Sequence, residues 1–340
     1  MATKDELLAL LEMKRGVYVS GEEIASSLAV SRAAVWKAVE ALRREGYPIE
    51  AVRHKGYCLS EESDLISKAG ILKYLSEDSK TKSLVSLDVE QEVTSTNDIL
   101  KEKAAAGAPD GTVIVASAQT AGKGRAGRSF YSPDDSGVYL SILLRPEGFT
   151  AERAARFTTM AAIAACHAID ELTGSADMDV HGAQIKWVND VYLAGKKVVG
   201  ILTEAGLDLE SGALDYAVLG IGFNVYEPEG GFPEEIRERA GAILTERIGG
   251  AKNRLIAAFI RQFICYYREE IERKDDGQLP AYVHAYQERC FVVGREIDVI
   301  AGGQSRPARA LSVDDDCRLL VEYGDGTRET LASGEVSIRV

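Results

Sequence analysis

Apolar residues recur at helical spacing in three short stretches within the first sixty positions, and two strand-like segments follow. The first helix is predicted over Asp5–Met13, where leucines line one face. Ser20 opens a second helix with a capping box, and Ser31 caps a third helix after a tight turn. A hairpin then follows, with strands over Ile49–Val52 and Gly56–Leu59. This order predicts a winged helix-turn-helix, in which the last helix enters the major groove of DNA.

The outward face of the third helix and the tip of the hairpin are basic. Residues 31–59 carry a net charge of +3, from six Lys or Arg and three Glu, whereas the whole chain has a formal net charge of −13. An acidic protein with one basic element is expected to contact nucleic acid at that element only. The residues predicted to contact DNA are Ser31, Arg32, Trp36, Lys37, Arg43, Arg44 and Lys55. A solvated basic helix in a protein–protein module is the alternative interpretation.

The rest of the pattern gives an α+β fold class with four consecutive parts. A polar segment with a helix over Leu65–Leu75 predicts a linker over 63–82, between a winged helix-turn-helix of 1–62 and a larger domain of 83–287. Strands that alternate with helices in this larger domain predict a central mixed sheet covered by helices. Short strands and the turn signal Asp325-Gly326 predict a small β-barrel over 288–340.

The composition argues against disulfide and metal sites and against a membrane or secreted location. The five cysteines and four histidines form neither a CxxC pair nor an HExxH motif, so neither a disulfide scaffold nor a metal site is expected. The sequence contains no run of 18 apolar residues, so no membrane span is predicted. The acidic start is unlike a secretory signal peptide. We therefore expect a cytoplasmic protein without a membrane partner.

A loop with three glycines and three cations is the central candidate site. It covers Gln119–Arg128 and follows an apolar strand predicted over Thr112–Ala118. Its GxGxxG spacing does not indicate a dinucleotide site, because the loop leads to a strand and not to a helix. Glycines allow a ligand to approach the backbone closely, and interleaved cations suit a phosphate or an acyl phosphate. A solvated basic turn is the alternative.

Three further motifs carry chemistry only in combination. Lys186–Asp190 places a lysine at the end of an apolar strand, either for an anionic ligand or as a charged residue beside a core tryptophan. Thr94–Asp98 predicts a helix cap by Ser95 or Thr96, where hydroxyls could also hold a polar ligand. Gly220–Val225 predicts a strand to which a ligand or another backbone comes close.

The four motifs together resemble those of the biotin–protein ligases, over essentially the whole chain. They read S-T-N, Q-T-x-G-K-G-R-x-G-R, K-W-x-N-D and G-I-G-x-N-V in this order. The winged helix-turn-helix in front is similar to the bifunctional bacterial form, a ligase that also represses the biotin operon. The resemblance implies a class II synthetase-like catalytic domain and an SH3-like barrel. Lys123 stands where arginine is frequent in the family, and Val188 where proline is frequent.

The resemblance also implies a two-step reaction and a role for each motif. Biotin would react with MgATP to give biotinyl-5′-AMP, and a lysine of the biotin carboxyl carrier protein would then accept the biotin. Lys186 and Arg125 would be catalytic. Biotin would be held by Ser95, Thr96, Asn97, Gln119, Lys123, Gly124, Arg125 and Lys186. The adenylate and its phosphates would be held by Gly122, Arg125, Arg128, Trp187, Asn189 and Asn224.

The same resemblance implies operator DNA as a partner and a homodimer promoted by biotinyl-5′-AMP, the corepressor. Mg²⁺ would arrive with ATP, and no dedicated metal ligand is predicted. Three alternatives stay open on the sequence. They are a ligase whose DNA-binding domain is inactive, a biotin-sensing transcription factor without ligase activity, and a lipoate ligase or octanoyl transferase.

Overall fold

The structure is a computed structural model that describes residues 2–75, 86–174, 182–207, 213–273, 278–301 and 303–338. The end of the predicted linker, 76–82, and the first residues of the predicted larger domain, 83–85, lie outside the described residues. The chain forms two compact units, one of Met1–Leu84 with Glu246–Ala257 and one of Val85–Thr245 with Ala258–Val340. The predicted boundaries at 62, 82 and 287 stay predictions.

The smaller unit is a winged helix-turn-helix. Its elements are α1 (Ala2–Met13), α2 (Gly21–Ser27), α3 (Arg32–Arg44), the antiparallel hairpin β1 (Ile49–Val52) and β2 (Gly56–Leu59), and α4 (Lys68–Leu75). Both predicted caps form, since Ser20 Oγ accepts a hydrogen bond from Glu23 N at 3.0 Å and Ser31 Oγ accepts one from Ala34 N at 3.2 Å. Leucines of α1 and the apolar side chains of α2 and α3 make its core.

The described part of the predicted linker packs into this unit. Asn253 is fully buried; its Oδ1 accepts from Ser67 N at 3.0 Å and its Nδ2 donates to Leu65 O at 2.8 Å. These bonds hold the chain in front of α4, so the helix begins at Lys68 rather than at Leu65 as predicted. Ile71, on α4, is also fully buried.

The larger unit is built on a seven-stranded sheet with the order β3-β4-β5-β9-β8-β7-β6. The pair β3–β4 is parallel, and the other pairs are antiparallel. The strands are β3 (Ser86–Val93), β4 (Thr112–Gln119), β5 (Gly137–Leu144), β6 (Gln184–Lys186), β7 (Asp190–Leu193), β8 (Lys196–Leu207) and β9 (Leu214–Asn224). The described helices after α4 are α5 (Thr96–Ala105), α6 (Ala151–Thr173), α7 (Glu234–Arg237), α8 (Ala251–Glu272) and α9 (Ala281–Arg289).

The C-terminal part is a five-stranded antiparallel sheet with the order β13-β12-β11-β10-β14. Its strands are β10 (Glu296–Ala301), β11 (Gln304–Val313), β12 (Leu319–Tyr323), β13 (Arg328–Leu331) and β14 (Glu335–Ile338). The small all-β domain expected here is present. The sequence pattern missed β14, a four-residue strand, because Val336 alone in it is buried. Within the described residues, no helix combines the length and the apolar character needed to cross a membrane.

Candidate active site

One pocket of the larger unit collects residues from all four motifs. Eight of the predicted site residues line this pocket: Ser95, Thr96, Asn97, Gln119, Lys123, Gly124, Arg125 and Asn189. They come from the start of α5, the end of β4, the glycine loop and the segment between β6 and β7. Lys186, Trp187, Gly122, Arg128 and Asn224 do not line this pocket. The parallel pair β3–β4 accounts for part of this convergence, because it brings the end of β4 beside the residues that precede α5.

The polar end of the pocket is a hydrogen-bonded group around the start of α5. Ser95 occupies the N-cap position, but its side chain makes no capping bond, and Thr96 is the first helical residue, so neither side chain that was predicted to cap the helix does so. Gln119 takes that role, since its Oε1 accepts from Thr96 N at 2.9 Å and from the Thr96 hydroxyl at 3.2 Å. Ser141 Oγ lies 2.7 Å from Thr96 Oγ1 and 2.6 Å from Asn97 Oδ1. The helix start is therefore rigid, and the buried Ser95 faces the pocket without a capping duty.

The glycines of β8 and β9 make room for protein side chains, and Gly220 and Gly222, on the strand where a close approach was predicted, also line the pocket. A Cβ on Gly220 would overlap the Asn97 amide. Gly200 and Gly222 are paired across the sheet, and a Cβ on either would overlap the ring of Phe130. Phe130 therefore forms an aromatic wall of the pocket. The sequence interpretation did not single out this residue.

The glycine loop folds back on itself. It contains a 3-10 turn over Arg125–Gly127 and no longer helix, as its sequence context predicts. Gly124 N donates to Arg128 O at 2.7 Å, and Phe130 N donates to Gly122 O at 2.9 Å. A Cβ on Gly122 would overlap Phe130 O and the Ser132 hydroxyl, so this glycine is required for packing.

Each cation of the loop has a protein partner. Lys123 Nζ lies 2.7 Å from Asp98 Oδ1 on α5. The Arg125 guanidinium donates to Asn189 Oδ1 and to Gly334 O, each at 3.1 Å. Arg128 forms a two-pronged ion pair with Glu335, at 2.8 and 2.6 Å, and this contact holds the pKa of the Glu335 carboxyl below its usual value. Arg125 and Arg128 are thus both held by the start of β14.

Lys186 ends β6 and is half-buried. Burial lowers the pKa of its ammonium from the usual value, and the negative charge of Asp190 opposes this shift. Trp187, in contrast, is a core residue that is 3% exposed, and its Nε1 donates to Cys317 O at 2.9 Å. Asn224 Nδ2 donates to Gly241 O at 3.1 Å in the segment that follows β9.

Three residues of the site were missed by sequence reasoning. They are Phe130, Ser141 and Lys197. Ser141 is a fully buried hydroxyl in the otherwise apolar β5, and this polar residue in a buried strand was a usable signal. Lys197 lines the pocket and its Nζ lies 2.6 Å from Asp190 Oδ1. Its contact with Asp190 depends on the pairing of β7 with β8, which the motifs alone do not predict.

The predicted DNA-binding residues lie in the smaller unit and differ in their surroundings. Arg32, Trp36, Lys37, Arg44 and Lys55 are exposed, and Trp36 is exposed by 56%. Ser31 uses its side chain to cap α3. Arg43 is half-buried and donates two hydrogen bonds to Ile49 O, at 2.9 and 2.7 Å. It therefore joins α3 to the wing.

Comparisons with known proteins agree with this arrangement of domains and motifs. The "Biotin/lipoate A/B protein ligase family" matches residues 89–224, "HTH domain" matches residues 3–58, and "Biotin protein ligase C terminal domain" matches residues 292–339. The bifunctional ligase/repressor BirA of Bacillus subtilis (strain 168) is 31% identical over 326 residues, which are 96% of each chain. The chain belongs to the BirA family of bifunctional ligase/repressors.

Other members and structures support the same family assignment. BirA of Escherichia coli (strain K12) is 30% identical over 335 residues, 98% of this chain and 96% of that protein. A biotin protein ligase from Aquifex aeolicus, solved in complex with biotin and ATP, has a TM-score of 0.60 and 26% identity, and covers 75% of this chain and 98% of its own. The family and the α+β fold predicted from the sequence are confirmed.

Proposed function

We propose that this chain is a biotin–protein ligase and the repressor of a biotin operon. In the first step, a carboxylate oxygen of biotin attacks the α-phosphorus of ATP, and the bond to pyrophosphate breaks. In the second step, the ε-amine of a carrier-protein lysine attacks the mixed anhydride, which gives an amide, AMP and a proton to solvent. The observation that carries this proposal is the single pocket that joins the hydroxyl-rich start of α5 to the cationic glycine loop.

The two ends of that pocket suit the two ends of biotinyl-5′-AMP. We assign the ureido ring to Ser95, Thr96 and Gln119, because these groups offer donors and acceptors on a rigid frame. Arg125 lines the same pocket and offers a planar donor set for the acyl phosphate. The ring of Phe130 lines the same pocket and suits the apolar part of the biotin skeleton.

Lys186 and the loop cations would offset the charge of the first step. Both reactants are anions, so their approach needs nearby positive charge that is already in place. Lys186 would bridge the carboxylate and the α-phosphate, and Arg128 would exchange Glu335 for the phosphate chain of ATP. The loop would then cover the adenylate and keep water from the anhydride.

The described residues contain no group of three or more His, Cys, Asp or Glu that could hold a metal ion. We propose that Mg²⁺ enters the site bound to ATP. Each role named above belongs to a side chain of this protein.

Repression would use the smaller unit. We propose that the adenylate-bound protein forms a homodimer in the cytoplasm and binds a two-fold operator through α3 and the hairpin β1–β2. The exposed cations Arg32, Lys37, Arg44 and Lys55 would contact phosphates and base edges, and Trp36 would contact an apolar base edge. The carrier protein would compete with the operator by consuming the adenylate.

Biotin-dependent exchange between pyrophosphate and ATP tests the first step without a carrier protein. We expect exchange with biotin and none with lipoate or octanoate. Exchange with lipoate alone would indicate a lipoate ligase instead. Exchange with none of the three acids would indicate a biotin-sensing regulator without ligase activity. A gel shift with operator DNA at moderate salt, with and without biotinyl-5′-AMP, tests the second function. If biotinyl-5′-AMP does not increase the shift, the repressor function is wrong.

A further inference from the structure

Three charged residues meet where the hairpin of β6 and β7 lies beside β8. Lys186 and Asp190 are direct partners in the antiparallel pair β6–β7, so their side chains leave the sheet on one face. Lys197, the second residue of β8, reaches the same place, and its Nζ lies 2.6 Å from Asp190 Oδ1. Lys197 also lines the pocket that contains Arg125.

Asp190 forms an ion pair with Lys197 and also acts on Lys186 through its negative charge. Asp190 is 20% exposed in its side chain and Lys197 is 29% exposed, so water screens their attraction only in part. The charge of Asp190 acts on Lys186, and the Lys197 ammonium lies at ion-pair distance from Asp190 Oδ1, a buried oxygen that accepts no hydrogen bond within the described residues. A carboxylate paired in this way favours the protonated state of Lys186 while its ammonium stays available for a ligand.

We infer that Asp190 is a positioning residue for Lys186, and that Lys197 holds Asp190 so that the Lys186 ammonium stays free for the anionic reactants. The inference rests on the proposed adenylation. To the residues assigned to that reaction it adds Lys197 from β8 and the carboxylate of Asp190, which binds neither biotin nor ATP. Without Lys197, Asp190 would close on Lys186 and withdraw it from the ligand. Without Asp190, the two ammonium groups would repel each other.

Charged groups on several surrounding elements affect the pKa of Lys186. Asp190 on β7 and Glu335 on β14 favour the charged form, and Lys197 on β8 and Arg239 on the segment after β9 oppose it, as burial does. Replacing Asp190 by Asn is therefore expected to lower the pKa of Lys186. Replacing Lys197 by Gln removes a like charge and is expected to raise it. A purely structural role for the pair would not produce opposite shifts.

The experiment measures the Lys186 titration directly by NMR of lysine side chains in the full-length protein. The Lys186 signal is the one that is lost in Lys186→Arg. We expect a shift of about one pH unit downward in Asp190→Asn and of similar size upward in Lys197→Gln, as for charges a few ångströms apart near a surface. The pair Asp88 and Lys103, 2.7 Å apart on β3 and α5, is the matched control. Asp88→Asn and Lys103→Gln should leave the titration of Lys186 unchanged.

The pH profile of biotin-dependent exchange gives the second measurement. The alkaline limb should move to lower pH in Asp190→Asn and to higher pH in Lys197→Gln. At neutral pH, kcat of Lys197→Gln should fall about tenfold with little change in KM for biotin, and Lys197→Arg should recover most of it. Shifts in the same direction in both variants, or in neither, would overturn the inference. Absence of exchange in the unmodified protein would overturn the proposed function instead, and the NMR titration would still decide the role of Asp190.

Discussion

Gln119 caps the helix that begins at Thr96: its side-chain oxygen accepts hydrogen bonds from both the backbone N–H and the hydroxyl of that residue. The contact ties the last residue of β4 to the first residue of α5. It also fixes the geometry of the hydroxyls that we assign to biotin. Under the proposed assignment, this one amide both caps α5 and binds biotin.

Gln119→Ala should weaken both duties. We expect about 1 kcal/mol less stability, the usual value of a lost cap, and a higher KM for biotin with a smaller change in KM for ATP. Urea unfolding and exchange kinetics measure the two effects. Gln119→Glu keeps the acceptor and should restore the stability more than the biotin affinity. Equal increases of both KM values would contradict the assignment of this residue to biotin.

Lys186→Ala should abolish most of the adenylation. Removal of a preorganised charge from a reacting centre commonly costs a factor of about 100 to 1,000 in rate. The readout is biotin-dependent exchange of pyrophosphate, with Lys103→Ala as a lysine control on the outer side of α5. Exchange near the unmodified rate would take Lys186 out of the mechanism.

Arg125→Ala should still form some adenylate but release it. The guanidinium joins the loop to Asn189 and Gly334, so its removal frees the cover of the anhydride. Chromatography of the reaction mixture should show more free biotinyl-5′-AMP per biotin transferred. A fall in activity without any rise in free adenylate would mean that Arg125 acts in the chemical step alone.

Gly222→Ala should destabilise the larger unit, because the new methyl group would overlap the ring of Phe130. Overpacking of a buried site commonly costs about 1–3 kcal/mol, here measured by thermal or urea unfolding. Phe130→Leu in the same chain should recover part of the loss. Gly324→Ala, where a Cβ meets nothing within 4 Å, is the control and should change little.

Arg43→Ala and Arg44→Ala should separate stability from DNA binding. Arg43 donates two hydrogen bonds to Ile49 O, so its loss should cost about 1–2 kcal/mol in the smaller unit. Arg44 is exposed, and its loss should weaken operator binding and lower the salt dependence by about one counterion without unfolding the domain. Unfolding measurements and anisotropy at several salt concentrations distinguish the two. An equal stability loss in both variants would contradict this division.

The sequence predicted elements well where one local signal decides them. The caps Ser20 and Ser31 are such signals, because each acts on a backbone N–H three residues away. The motifs likewise predicted most of the pocket. Prediction from the sequence failed where contacts between distant segments of the chain determine the structure. Phe130 fills the space above Gly200 and Gly222, and Lys197 contacts Asp190 only after β7 and β8 pair. The four-residue strand β14 has too few buried positions to be predicted from the local pattern.

The contacts that hold the glycine loop have a consequence for synthesis of the protein on the ribosome. Arg128 and Glu335 are separated by 207 positions, and Arg125 and Gly334 O by 209. A nascent chain that has already folded its central sheet therefore has no β14 with which to fasten the loop. Under the proposed function, the loop that covers the reactive anhydride is fastened only after the chain up to β14 has left the exit tunnel, so a shorter nascent chain has no fastened cover for that intermediate.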